Sequence, residues 1–234
     1  MKKLTLFVLT LLAAVTIVRA ADVATVAVEG GYTTAYVVNG VTYATDTPYA
    51  GIGAVKSLKY ADVYVSGLLL ANGSQDQSHW LLGLGRNLPV STNISFRADA
   101  TVLRHQTVSS GIGNSTEAGA KLAIANPWIT PYVRGAFNFE LNQNGYFVGA
   151  ERAQKLFLGL VLTPAVEWGK MTDYEALNAK ATLTRPFAYK WGTVTPYAEV
   201  AWYDNGNWQT TTKAFALKQF ENDLVYCAGL RLTF

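Results

Sequence analysis

The chain has few of the residues from which disulfides, metal sites and catalytic centres are commonly built. Its 234 residues include one cysteine and two histidines, and charged residues make up only 15%. The single cysteine, Cys227, excludes an internal disulfide. A soluble domain usually carries about 25% charged residues. The scarcity of charge therefore argues against an ordinary water-soluble enzyme.

Long apolar runs are missing beyond the N-terminal segment. Two lysines precede an apolar run from Leu4 to Val18, and Val18-Arg19-Ala20 has the form of a signal-peptidase site. These features predict a cleaved signal peptide at 1–20 and a single domain at 21–234. After the signal peptide, no stretch reaches the ~20 apolar residues that a membrane-spanning helix needs.

A surplus of one charge and a cofactor motif are also missing. The chain has 19 basic and 16 acidic residues, but three of the basic ones belong to the predicted signal peptide, which leaves sixteen of each. This balance does not favour nucleic-acid binding. Gly111-Ile112-Gly113 lacks the third glycine of a dinucleotide-binding loop, and Asp204-Asn205-Gly206-Asn207 lacks the final glutamate of a calcium loop. We therefore predict no cofactor and no metal.

The chain is rich in apolar and aromatic residues, which make up 50% and 12% of it. They recur with a period of two, for example from Val194 to Tyr203 and from Leu224 to Phe234. A strand with this pattern has one apolar and one polar face. In a closed barrel the apolar face contacts lipid and the other lines a polar interior. The pattern predicts an all-β fold, a transmembrane antiparallel up-and-down β-barrel.

The alternation predicts twelve strands, with ten as the alternative if 145–168 pairs differently. Thr130-Pro131, Thr163-Pro164 and Thr195-Pro196 each begin a similar strand and lie 33 and 32 residues apart, which gives three strands the same phase. Short turns such as Asn87-Leu88-Pro89 are expected at one end of the barrel and longer loops at the other. The predicted strands are 23–37, 48–58, 61–71, 78–88, 91–104, 115–126, 128–141, 145–152, 157–168, 173–185, 193–204 and 222–234.

The last five residues, Leu230-Arg231-Leu232-Thr233-Phe234, alternate and end on an aromatic ring. They resemble the C-terminal signature of outer-membrane barrels. The resemblance implies that Phe234 is an assembly signal, recognised by the barrel-assembly machinery during biogenesis.

A second resemblance covers Tyr32 to Gly67. Its matching elements are Tyr36-Val37-Val38-Asn39-Gly40-Val41, Asp46-Thr47-Pro48-Tyr49-Ala50 and Val63-Tyr64-Val65-Ser66-Gly67. The segment is similar to the start of a proteobacterial family of small outer-membrane barrels, Gcw_chp. This implies an outer-membrane location in a Gram-negative-type bacterium and contact with outer-membrane lipid, and it supplies no catalytic residues.

The strand phases place ten charged residues on the inner face of the barrel. An arginine or lysine facing lipid near mid-membrane costs about 2–4 kcal/mol, whereas an inward charge meets water or an opposite charge. The predicted lumen network consists of Glu29, Arg97, Asp99, Lys121, Arg134, Glu140, Glu167, Lys180, Glu199 and Arg231. Its five basic and five acidic members favour mutual neutralisation over a charge-selective ring. We expect Arg134, Glu167 and Glu199, which follow the three Thr-Pro pairs, to reach similar depth.

Two functional hypotheses remain open. The first is a non-enzymatic outer-membrane barrel that forms a narrow, porin-like channel for small solutes. The second is a surface interaction, adhesion or receptor barrel that acts through its extracellular loops, chiefly Trp208 to Phe220, on an unknown partner. A membrane lipid hydrolase is disfavoured because His79 and His105 lie near strand ends without a serine or acidic partner at useful spacing, and Thr107 is a poor nucleophile. We therefore predict no catalytic residues.

Overall fold

A computed structural model describes most of the chain outside its N-terminus and one long loop. The described ranges are 24–38, 41–71, 76–107, 114–140, 142–172, 174–204 and 223–234. The predicted signal peptide at 1–20 and the loop from Trp208 to Phe220 lie outside them. Among these residues there is no helix with the length and apolar character that a membrane crossing requires.

Strands make up nearly all of the described structure, and the one helical element in it is a 3-10 turn at Phe157–Gly159. The strands are β1 Thr25–Val38, β2 Val41–Ser57, β3 Asp62–Leu70, β4 Gln77–Pro89, β5 Ser95–Thr107, β6 Ser115–Ala125, β7 Thr130–Asn138, β8 Gln143–Glu151, β9 Gln154–Lys155, β10 Val161–Met171, β11 Tyr174–Thr184, β12 Phe187–Tyr189, β13 Gly192–Asp204 and β14 Asp223–Thr233. Strands β9 and β12 are short and extend turns by pairing with β10 and β13.

The twelve long strands close into an antiparallel barrel. Each pairs with the next long strand along the chain, including β8 with β10 and β11 with β13, and β1 pairs with β14. At the junction of the two ends, the Val26 N–H donates to the Phe234 carbonyl at 3.2 Å and the Phe234 N–H donates to the Val26 carbonyl at 2.8 Å. Every described long strand is therefore paired on both sides. Twelve strands are confirmed, and the ten-strand alternative is wrong.

The two faces of the barrel wall carry different side chains, as the alternation of apolar and polar residues predicts. Large apolar residues at alternate positions point outward and are well exposed, such as Leu82 and Leu84 on β4 and Val166 and Trp168 on β10. Glu167, between the last two, is only 8% exposed. A continuous belt of exposed apolar side chains around a charged interior is stable in lipid and not in water. The predicted transmembrane barrel is confirmed.

Several strand boundaries differ from the prediction, among them those of β2, β4 and β10. Strand β2 begins at Val41 rather than 48, and its pairing with β1 shifts register next to Tyr36. The predicted start at 157 falls on the 3-10 turn, where Leu158 and Gly159 have positive φ angles of 58° and 73° that end strand geometry. Asn87-Leu88-Pro89 completes β4, and the turn follows it at 90–94. Proline fits in these strands because it occupies positions that need no N–H in the ladder.

Buried inner side chains concentrate near the loop end, the end at which β1, β3, β5, β7, β10 and β13 finish. One apolar group there contains Ala136, Phe147, Met171 and Ala176. Another contains Ala35, Ala201 and Val225, with Val37 and Tyr203 packed against it. The opposite end, where Phe234 lies, is called the terminal end. The inner wall there includes charged residues such as Glu29 and Arg231.

Candidate functional site: the charged lumen wall

The most buried of the described ion pairs joins Arg134 on β7 to Glu167 on β10. Arg134 donates from Nε to Oε2 at 2.8 Å and from Nη2 to Oε1 at 2.7 Å. Tyr132 and Asn178 also donate to the carboxylate, at 3.0 and 3.3 Å. The guanidinium lies 3.7 Å from the centre of the Phe147 ring. The carboxylate therefore accepts four hydrogen bonds, which offset the cost of taking its charge out of water.

A second cluster surrounds Arg97 on β5. Its Nε donates to Asp99 Oδ2 at 3.0 Å and its Nη2 to Asp99 Oδ1 at 2.9 Å. Its Nη1 donates to Asp62 on β3 at 3.4 Å. The Tyr64 hydroxyl completes the cluster by donating to Asp99 at 3.3 Å. Two carboxylates thus share one guanidinium on this part of the wall.

Two further ion pairs lie on the inner wall, and the first of them is near the terminal end. Arg231 and Glu29 stand directly opposite each other on β14 and β1, and Arg231 donates to Glu29 Oε2 from Nη2 at 2.7 Å. Lys180 lies 3.6 Å from Glu199, which also accepts a bond from Thr182 at 2.7 Å. These pairs are more exposed than Arg134–Glu167.

Of the three residues that follow the Thr-Pro pairs, two bind each other and the third binds elsewhere. Arg134 binds Glu167, whereas Glu199 binds Lys180 and Thr182. The ammonium of Lys121 lies 4.0 Å from the centre of the Tyr132 ring. The structure therefore contains a set of local clusters rather than one continuous network.

Glu140 lies elsewhere than predicted, because β7 ends at Asn138 and Glu140 belongs to the following turn. It pairs at 2.9 Å with Arg104, whose register partner is the outward-facing Trp80. Its carboxylate accepts the Thr116 backbone N–H, and this bond, with that of the Thr116 hydroxyl and the charge of Arg104, lowers the pKa of Glu140 below its usual value. Glu140 is thus part of an outer cluster at the loop end and not of the lumen wall.

Aromatic rings of the inner wall pack against glycines of the neighbouring strand. A Cβ atom at Gly83 would collide with the ring of Tyr64, and one at Gly149 would meet Tyr132 at 2.5 Å. Gly169 accommodates Phe147 in the same way. The glycines therefore leave space close to the backbone that these rings occupy.

The two histidines, which appeared unrelated in the sequence, stand opposite each other on β4 and β5. Both are 3% exposed, their Nδ1 atoms are in contact, and the ring of Tyr36 lies 4.8 Å from that of His79. Strand phase alone did not indicate this contact, and the β4–β5 hairpin register was the signal that could have revealed it. Among the described residues, no group of three potential metal ligands is found.

The closed strand order, the apolar exterior and the charged interior define the chain as a twelve-stranded barrel of the outer-membrane class. No family model matches the sequence, and no curated protein matches it. Among solved structures, the fold is similar to the KdgM porin, with a TM-score of 0.55 and 10% identity over 89% of this chain and 99% of that one. A second structure, KdgM porin in complex with disordered oligogalacturonate, gives a TM-score of 0.54 and 12% identity over 90% of this chain and 99% of that one. At such identities the similarity concerns the fold.

Proposed function

We propose that the chain forms a narrow, passive channel for small solutes in the outer membrane of a Gram-negative-type bacterium. The observation that carries the proposal is that inner-wall charges have access to water. The side chains of Arg231, Lys180 and Arg97 are 51%, 42% and 39% exposed. A fully packed interior would bury such groups or replace them with apolar ones. The similarity of the fold to that of a porin supports the channel hypothesis.

The burial of large apolar side chains in the lumen indicates how wide the channel is. Phe147, Met171 and Leu70 are at most 4% exposed, so the passage is narrow towards the loop end.

The predicted signal peptide and the resemblance to the Gcw_chp family are consistent with an outer-membrane location, and both stay predictions. The alternative of a surface interaction barrel depends on the loop from Trp208 to Phe220, outside the described residues. We propose no enzymatic activity.

Recording single channels in planar bilayers tests the function. The folded protein should produce small, stable openings. The Gly83→Ala variant should conduct less, because the added methyl group displaces the Tyr64 ring towards the lumen. Gly53→Ala is the matched control, since its Cβ would lie 3.6 Å from its nearest neighbours, an ordinary contact distance. Folded barrels that never open would contradict the proposal.

Phe234 is proposed to be the assembly signal, and the closed barrel gives it a structural role as well. Its backbone pairs with Val26, and its ring lies 5.8 Å from that of Trp191. Phe234→Ala should therefore reduce the amount of heat-modifiable barrel in the outer-membrane fraction. Phe157→Ala is the control, because that phenylalanine is 74% exposed in a turn at the same end. Equal yields of the two variants would contradict the assigned role.

A further inference from the structure

We propose that the lumen wall contains a binding subsite for a neutral saccharide, formed by β3, β4 and β5. The inference rests on the proposed channel function and names the class of solute. We refer to it as the Tyr64 subsite. It consists of Tyr64 and Asp62 on β3, Arg97 and Asp99 on β5, and Gly83 and Gly85 on β4 between them.

The two glycines form the floor of the subsite. Tyr64 stands opposite Gly83, and Asp99 stands opposite Gly85. A Cβ at Gly83 would collide with the Tyr64 ring, and one at Gly85 would collide with Asp99 and meet Arg97 Nη2 at 2.5 Å. The side chains from both flanking strands therefore rest on the backbone of β4. Tyr64 packs against Gly83 and stays partly exposed on the inner wall.

Polar groups surround the ring and are held in place. The Tyr64 hydroxyl donates to Asp99, and Arg97 bridges Asp99 and Asp62. These contacts use one N–H on each guanidinium nitrogen, which leaves two N–H groups available to a solute. The Arg97 side chain is 39% exposed, against 25% for Asp62 and 13% for Asp99. The subsite is thus preorganised and still accessible to water.

An aromatic face beside fixed hydrogen-bonding groups matches the chemistry of a sugar ring. A pyranose presents C–H groups on its faces and hydroxyls around its rim. The C–H groups carry slight positive charge and are attracted to the negative face of an aromatic ring. The hydroxyls can accept bonds from Arg97 and donate to the carboxylates of Asp62 and Asp99. Small-molecule sites commonly combine such apolar surfaces with a few fixed polar groups.

The charges of the subsite favour a neutral sugar over a charged one. Asp62 and Asp99 are balanced by Arg97 and by Lys121, which stands opposite Asp99 on β6, so the site has no net charge that would attract an ionised saccharide. An ionised sugar would also lose part of its hydration on entering the site. A neutral saccharide avoids this cost and keeps hydrogen bonds to both the guanidinium and the carboxylates.

The test measures how strongly three trisaccharides reduce the current through single channels in planar bilayers. Neutral maltotriose should block at lower concentration than acidic trigalacturonate or cationic chitotriose. Tyr64→Leu should raise the half-blocking concentration of maltotriose roughly 3- to 10-fold. Tyr64→Phe, which keeps the ring, should stay close to the unmodified protein. Tyr146→Leu is the control, because Tyr146 is 52% exposed on the outer face.

The outcomes separate this inference from the channel proposal. Open channels that maltotriose does not block, a block that Tyr64→Leu leaves unchanged, or stronger block by a charged sugar would overturn the subsite and leave the channel intact. If no channels open, the channel proposal fails, and saturation-transfer NMR between maltotriose and the barrel in detergent micelles tests the subsite. Transfer that Tyr64→Leu removes would support it, and no transfer would overturn it. Heat-modifiable migration in gels verifies that each variant is folded.

Discussion

Replacing Arg134 with methionine should lower the free energy of unfolding of the barrel by about 3 kcal/mol. The variant leaves the Glu167 carboxylate in a site where its residue is 8% exposed, without its bidentate partner. The remaining bonds from Tyr132 and Asn178 bring no positive charge. Urea unfolding in lipid vesicles, followed by tryptophan fluorescence, measures the change.

Arg231→Met is the matched control for this prediction. Arg231 forms a similar contact with Glu29, but the two side chains are 51% and 28% exposed, and an exposed pair contributes only about 0–1 kcal/mol. Combining Arg134→Met with Glu167→Gln should cost less than the sum of the two single changes, because the second change removes the unpaired charge. Equal losses for Arg134→Met and Arg231→Met, or strict additivity in the double variant, would show that burial of the pair has no special role.

Replacing Gly31 with alanine should hinder the closure of the barrel between the first and last strands and lower the yield of folded protein. Gly31 stands opposite Gly229, and an added Cβ would collide with the Ala228 backbone carbonyl and lie 2.8 Å from the Gly229 Cα. Neither is the end of a flexible side chain, so only a shift of β1 against β14 can relieve the contact. Overpacking of a close contact costs about 1–3 kcal/mol and sometimes more, and we expect the upper end.

The yield of heat-modifiable barrel after refolding measures the effect of Gly31→Ala, with Gly53→Ala as the control. Gly53 also lies in a long strand, β2, but has room for a methyl group. If both variants fold with the same yield and the same urea midpoint, the junction of β1 and β14 is more tolerant than the structure implies.

The lumen residues show how far the sequence could predict the site. Side-chain direction follows from strand phase, so Arg134 and Glu167 could be assigned to the inner wall without knowledge of their neighbours. Their contact depends on which strands lie side by side and in what register. Glu140 was misassigned because its position depends on where β7 ends, and strand ends are the least certain part of a periodic pattern.

Other contacts of the site could not be predicted from the alternation of residues within each strand. Asp62 reaches Arg97 across a strand because Gly85 leaves the space between them open. His79 and His105 are 26 positions apart and meet only through the register of the β4–β5 hairpin. Such contacts depend on the register between strands, which the alternation within one strand does not specify.

What the sequence determined by itself is the division of the chain into two faces, and with it the transmembrane barrel. That division is a local property, because consecutive residues of a strand point to opposite sides and lipid accepts only one of the two faces. The tertiary structure alone decided which inward charges pair, which rings pack against glycines, and that Arg231 and Lys180 reach water while Phe147 and Met171 are buried. These depend on closure, because closing twelve strands sets the register of every pair and brings together residues that are distant in the chain.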